Sequence, residues 1–257
     1  GPALGDVFTH RFKDSVRERS PTLRMSNIGK PLCQLWFELN GYKGEELTGQ
    51  TLFKFAYGDI IESLIVVLAE AAGHPVERAQ EEIEVLGIKG HIDGVIDGVL
   101  FDAKSCSPYS FQKFKDGTLL EEGNDPFGYV GQLSGYAHEV KLPAAWIAIN
   151  KVSGEICILH LPQKYINDYD VKRRISEVKT VVGEVSRPER AFSDEPHQKS
   201  GNRKLGISCS YCGYREECWK DSNDGQGLKT YVYSTGPVFL TKVTREPQVF
   251  SVKKESN

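Results

Sequence analysis

A chain of 257 residues, 39% hydrophobic and 26% charged, has room for one large domain or two small ones and the composition of a globular protein. Its formal net charge of -3 excludes a globally basic protein, so any contact with phosphates has to come from local positive potential. Apolar runs of about 18 residues are absent, no phosphate-cradling P-loop occurs, and the amino terminus lacks a signal-peptide pattern, Gly1-Pro2 resembling a tag remnant. These features exclude a transmembrane helix and an NTP-driven motor as expectations. Six cysteines without a secretion signal point to a reducing compartment, with metal-binding or free thiols.

Residues 6–24 are polar and carry Arg11, Lys13, Arg17, Arg19 and Arg24, as a solvated arm or short helix would. A turn at 26–33 leads into a short helix over Gln34–Leu39. The spacing of Leu52, Phe55, Ala56, Ile60, Leu64, Val67, Leu68 and Ala71 predicts a helix over 51–72, stopped by Gly73 and Pro75. Glu62 lies in this helix one turn after Gly58, and it becomes a site candidate if the helix packs on an acidic sheet face. Residues 81–96 and 99–105 read as two strands, and 106–126 as a loop with Phe111, Lys113, Phe114 and Lys115. Such a loop either stacks bases and holds phosphates or packs its rings back on the core.

Asp125-Pro126 predicts a helix start, with the helix running to about Val140 and placing Gln132 and Tyr136 on one face. Ala144–Asn150 reads as a buried strand, Glu155–Leu161 as its hairpin partner, and 163–186 as one long amphipathic helix carrying Lys172, Arg173 and Arg174. Residues 188–208 read as loop; Thr230–Tyr233 and Val238–Val243 read as strands, and Lys253, Lys254 and Glu255 as a frayed end. The order predicts an α/β fold, a mixed central sheet flanked by helices, with a cysteine-clasped terminal region.

The stretch Gly90–Lys104 organises the chemistry. Asp97-Gly98 between apolar runs predicts a two-residue type I′ hairpin. Ile96 then pairs with Val99, Gly94 with Phe101 and Asp93 with Asp102. One face carries His91, Asp93, Val95, Leu100, Asp102 and Lys104; the other carries Ile92, Gly94, Ile96, Val99, Phe101 and Ala103, an apolar set suited to a core. Two opposed aspartates require either solvent or a hard cation between them.

Cys209-x2-Cys212-x5-Cys218 is a close thiol triplet suited to one metal centre. Cys33, Cys106, Cys157 and His197 are candidates for a fourth ligand, with zinc as the simplest occupant.

In order, Gly58-x3-Glu62, Gly90-His91-Ile92-Asp93, Asp102-Ala103-Lys104 and Gln132-x3-Tyr136 resemble the PD-(D/E)XK nuclease superfamily, specifically its RecB-like exonuclease branch. With the cysteines, the pattern resembles the iron–sulfur subset that includes the AddB nuclease domain and CRISPR-associated RecB-like nucleases; phage exonucleases belong to the same comparison. The resemblance covers roughly residues 26–220. It departs in having Asp102 where glutamate is commoner and Glu62 where many CRISPR-associated members have histidine.

The resemblance implies a restriction-endonuclease-like core and a metal-dependent DNA exonuclease, acting on single-stranded DNA or DNA ends in phage or bacterial recombination or repair. It implies one or two Mg2+ or Mn2+ ions held by Glu62, Asp93, Asp102 and the Ala103 carbonyl, with Lys104, Gln132 and Tyr136 completing the catalytic set. A [4Fe–4S] cluster, or Zn2+ in its place, would sit on Cys33, Cys209, Cys212 and Cys218. Lys113, Lys115, Arg173 and Arg174 are the basic candidates for DNA contact. As one nuclease domain over 1–257, the chain divides into an amino-terminal cluster segment (26–50), the core (51–187), a cysteine segment (188–220) and a tail (221–257). The implied setting is the cytoplasm of a bacterial or phage-infected cell, with a recombinase, helicase or integrase as partner and no membrane. Alternatives are a CRISPR-adaptation nuclease subunit and a non-catalytic, metal-stabilised DNA-binding or adaptor module.

Overall fold

The structure, a computed structural model, describes residues 21–46, 49–168 and 170–252. Arg17, Arg19 and the frayed end at Lys253 lie outside the described residues. The chain divides into two units, Gly1–Pro31 with Leu47–Gly183, and Leu32–Glu46 with Glu184–Asn257. In chain order α1 (Leu32–Leu39) belongs to the second unit and α2 (Gly49–Ala71) to the first.

The first unit is built on a mixed five-stranded sheet. Its strands are β1 (Val76–Glu77), β4 (Gly94–Ile96), β5 (Val99–Cys106), β6 (Ala144–Asn150) and β7 (Ile156–Leu161), in the spatial order β1-β4-β5-β6-β7. Only β5 and β6 run parallel, from Leu100↔Ala144 to Cys106↔Asn150. A parallel pair needs a crossover, here through α3 (Pro108–Lys115) and α4 (Tyr129–Val140). Strand β6, Ala-Ala-Trp-Ile-Ala-Ile-Asn, is apolar along nearly its whole length because both of its faces are covered. On one face Leu100, Cys106, Trp146 and Ala148 pack with Phe111, Phe114, Leu133 and Tyr136; on the other Phe101 and Ile149 pack with Ile61 and Ile65 of α2.

The hairpin has the expected register, Ile96↔Val99, Val95↔Leu100 and Gly94↔Phe101, with Asp97 at φ 51° and Gly98 at φ 77°. Residues 81–96 are not one strand, however. They contain a second hairpin, β2 (Glu82–Val85) and β3 (Ile88–His91), turning at Leu86-Gly87 with φ 50° and 81°. The two turns share one device, positive φ at both central residues.

Other elements differ in detail from expectation. Helix α2 presents Ile61 and Ile65 to the sheet, whereas Phe55, Ile60, Leu64, Val67 and Leu68, whose spacing predicted the helix, are exposed. The helix is apolar nearly all round, so periodicity does not choose a face. Within 106–126, α3 replaces loop: Ser107 caps it by accepting the Ser110 N–H at 3.2 Å, and Pro108 occupies its first turn. Helix α4 starts at Tyr129, later than Asp125-Pro126 suggests, yet the Asp125 carboxylate still accepts the N–H groups of Tyr129 (3.0 Å) and Val130 (2.8 Å). The long helix over 163–186 is two, α5 (Gln163–Asn167) and α6 (Val171–Gly183).

The second unit holds an antiparallel sheet of β8 (Glu195–His197), β9 (Asn202–Lys204), β10 (Lys229–Tyr233), β11 (Gly236–Lys242) and β12 (Phe250–Val252), in the order β12-β10-β11-β9-β8. Strands β8 and β9 replace part of the loop expected over 188–208; three residues each carry too little pattern to be read. Chain segments far apart in sequence meet within this unit. Trp36 Nε1 donates to the Glu184 carbonyl at 3.1 Å, Phe37 stacks on Tyr214 at 5.6 Å, and the Glu45 N–H donates to Gly213 at 2.7 Å. Arg215 pairs with Glu45 and lies 3.9 Å over the Phe239 ring.

Candidate active site

Asp102 and Lys104 are two residues apart on β5 and so share a sheet face with Leu100 and Cys106. That face is not an outer, solvated one. It carries the larger core, and α4 covers it with Leu133, Tyr136 and Ala137. Asp102 is 5% exposed, and Lys104 Nζ lies 2.5 Å from its Oδ2. The Lys104 ammonium also sits 4.9 Å over the ring of Tyr129, in the first turn of α4.

Asp93 is not a ladder residue facing Asp102. Strand pairing ends at Gly94↔Phe101. Beyond it the Asp93 Oδ2 turns in and accepts the Ala103 N–H at 2.7 Å, satisfying a strand amide that β4 does not reach. This places both carboxylates beside Lys104. Burial, then the nearby Asp102 charge, push the Asp93 pKa up to about 7, against Lys104 and the Ala103 amide, which lower it. Burial opposes the Lys104 charge, but Asp102 and Asp93 outweigh it and hold the lysine above its ordinary value.

Helix α2 packs on the opposite sheet face, the one carrying Phe101 and Ala103. Glu62 is nonetheless within electrostatic reach of the site. Burial raises its pKa first, then Asp59 and Asp102, while Lys104 lowers it. Its carboxylate accepts the side-chain amide of Gln80. At Gly58 α2 runs close to β5: a Cβ there would lie 3.9 Å from Ser105 Oγ, an ordinary contact that a larger residue could also make.

From α4, Tyr136 reaches under the β2–β3 hairpin. A Cβ on Gly90 would fall 2.4 Å from its hydroxyl and 2.7 Å from Met25 Cβ, so the glycine is needed for this close approach. Burial raises the Tyr136 pKa to about 12, with Asp102 adding to it and Gln132 lowering it. Tyr129, Gln132 and Tyr136 lie at i, i+3 and i+7 of one helix face. Tyr129 and Gln80 were missed from sequence; for Tyr129 that spacing was the available signal. A cleft of about 530 Å³, lined by Val130, Gly131, Ser134, Lys164, Tyr165 and Asp168, uses the opposite face of α4.

The basic candidates are variously engaged. Lys115 pairs with Glu155 at 2.6 Å, and Lys113 donates to the Asn124 carbonyl at 2.9 Å. Arg174 donates to the carbonyls of Ile28 and Lys30 at 2.9 and 2.6 Å, a tie within the first unit. Arg173 is exposed on α6. Phe111 and Phe114 pack inward at 2% exposure each, so they are core rather than stacking residues.

In the second unit Cys33, Cys209, Cys212 and Cys218 are free thiols lying close enough to affect one another electrostatically. Burial first, then the other cysteines, push Cys209 up to about 11; burial likewise takes Cys212 to about 11. Cys106 and Cys157 belong to the first unit, and His197 donates to or accepts from Tyr233 Oη at 3.0 Å.

Among the described residues no three His, Cys, Asp or Glu side chains form a ready metal site. In the first unit each acid has its own partner: Ala103 N–H on Asp93, Lys104 on Asp102, Gln80 on Glu62. The donor set still suits a hard divalent cation. Asp102 Oδ2 is buried without a hydrogen bond apart from the Lys104 contact, and burial, with the Asp102 charge beside it, disfavours the ionised form of Asp93, which a cation would restore. No helix of the described residues is long and apolar enough to cross a membrane.

No family model matches the chain, and no curated protein matches it. Solved structures resemble it distantly. An alkaline exonuclease (LHK-Exo) from Laribacter hongkongensis is 13% identical, with a TM-score of 0.43, covering 64% of this chain and 91% of that one. A phage-related exonuclease from Haemophilus somnus 129PT is 16% identical, with a TM-score of 0.41 and coverage of 62% and 92%. SSO0001 is 13% identical, with a TM-score of 0.43 and coverage of 83% and 95%.

Proposed function

We propose that this chain is a metal-dependent deoxyribonuclease, an exonuclease acting on single-stranded DNA or DNA ends. The observation that carries the reading is the buried juxtaposition of Asp93, Asp102 and Lys104 at the edge of the β4–β5 ladder. Two acids and a lysine gathered out of water are costly for a fold to keep without a use. Asp93, Asp102 and Glu62, with the Ala103 carbonyl, are the residues that would hold one or two Mg2+ or Mn2+ ions. Such an ion, when bound, polarises the phosphodiester and lowers the pKa of water.

The protein's own groups do the rest. Lys104, held protonated by two carboxylates, is a hydrogen-bond donor in this state. It orients a water molecule and offsets negative charge on the attacked phosphate, rather than acting as a base. Tyr129 supports that ammonium from below its ring face. Gln132 positions the scissile strand with its amide, and Tyr136, its hydroxyl buried beneath Gly90, acts behind it on the same helix face as a positioning residue.

The same reading assigns Cys33, Cys209, Cys212 and Cys218 to a structural [4Fe–4S] cluster, with Zn2+ as its substitute. Burial and mutual proximity disfavour the thiolate forms of Cys209 and Cys212 on their own, and a metal centre would supply the positive charge that stabilises them. Iron and sulfide content after anaerobic purification tests this part. The catalytic part is tested with end-labelled single-stranded and duplex DNA in Mn2+, Mg2+ or EDTA. Stepwise, metal-dependent shortening supports it; intact DNA in every condition moves the reading to a binding module.

A further inference from the structure

Phe127 is 45% exposed, in the turn that enters α4. Its ring centroid is 5.4 Å from that of Tyr129, with the planes inclined at 30°. Tyr129 in turn carries Lys104 Nζ at 4.9 Å. Two ring contacts therefore lead from the buried lysine to solvent. The turn that holds Phe127 is fixed on both sides. The Asp125 carboxylate accepts two N–H groups after it, at 3.0 and 2.8 Å. Gly128, at φ 77°, presses its backbone on Gly29, where a Cβ would meet the Gly29 carbonyl carbon at 2.1 Å. An exposed aromatic on a loose loop is ordinary surface; one held still beside a charged site is a platform.

We infer that Phe127 stacks on an unpaired nucleobase next to the phosphodiester presented to Asp93, Asp102 and Lys104. This rests on the nuclease reading and sharpens it. Stacking accepts any base, because each has a π-face, but that face must be free of its duplex neighbour. The substrate at this point is then a single strand or a frayed end, with little preference for sequence.

The test uses the full chain in EDTA, which keeps the strand intact. Single-stranded oligonucleotides carry one 2-aminopurine, moved position by position along the strand. The expected result is quenching concentrated at one position, lost in Phe127→Ala with affinity weakened about tenfold, and retained in Phe127→Trp. An abasic nucleotide at that position should make wild type and Phe127→Ala bind alike. Equal quenching by wild type and Phe127→Ala overturns the inference, as does equal weakening on the abasic strand. Cleavage on adding Mn2+ is scored separately. Position-specific quenching without cleavage removes the nuclease reading alone, and cleavage with a quench indifferent to Phe127 removes the stacking assignment alone.

Discussion

At the scale of single residues, the site is a small electrostatic argument. The Asp93 carboxyl is held near pKa 7 when folded, well above an ordinary aspartate. The folded state therefore binds that proton more tightly than the unfolded chain. Its stabilising effect is full below the unfolded value, about 4, and is lost as pH rises through the folded value. Above that, metal-free protein carries the whole cost of ionising Asp93. Asp93→Asn should then raise the metal-free Tm at pH 8, by an effect on the order of 3 kcal/mol, and the gain should vanish near pH 4. A melting series across that pH range decides it; an unchanged or lower Tm at pH 8 contradicts the raised pKa. Tyr129→Leu should lower kcat about tenfold with KM unchanged, while Tyr129→Phe, which keeps the ring under Lys104, stays near wild type. Gly90→Ala should cost about 1–3 kcal/mol in urea unfolding, because its methyl would fall on Tyr136 and Met25.

At the scale of elements, what was legible depended on whether a local rule had a single solution. Asp97-Gly98 specifies its turn, and the register to Gly94↔Phe101 follows from it. Parity along β5 put Asp102 and Lys104 together for the same reason. Extending that register by one more pair, to Asp93 and Asp102, overran the ladder: Asp93 leaves the strand to cap the Ala103 amide, a choice made by hydrogen-bond satisfaction rather than alternation. Helix α2 was legible as a helix and not as a face, since apolar residues occur all around it. Helix α3 carried its signal, Ser107-Pro108, but the interleaved rings and lysines after it read equally well as loop. Tyr129 was missed because it meets Lys104 through its ring face rather than its hydroxyl, leaving only its spacing from Gln132 and Tyr136 to mark it. The entry to α4 is also testable: Asp125→Ala removes the acceptor of two helix N–H groups and should cost about 1–2 kcal/mol in urea unfolding. A cost below a few tenths would show that the turn at Phe127 is held by the Gly29–Gly128 contact alone.

At the scale of the whole molecule, the chain separates its tasks. The first unit carries every acid, the lysine and the α4 side chains of the candidate site; the second carries the four grouped cysteines. The second unit is assembled from residues 32–46 and 184–257, two segments far apart in sequence. Cysteine substitutions such as Cys212→Ser should thus lower thermal stability and metal content before they touch the chemical step.

The central claim is that Asp93 and Lys104 act together on a phosphodiester. End-labelled single-stranded DNA, incubated with Mn2+ and wild-type protein, Asp93→Ala or Lys104→Ala of matched folded content, tests it most directly. The account predicts metal-dependent release of short products by wild type, abolished in both variants, with DNA binding in EDTA retained. Equal cleavage by either variant, or none by the wild type, would contradict it.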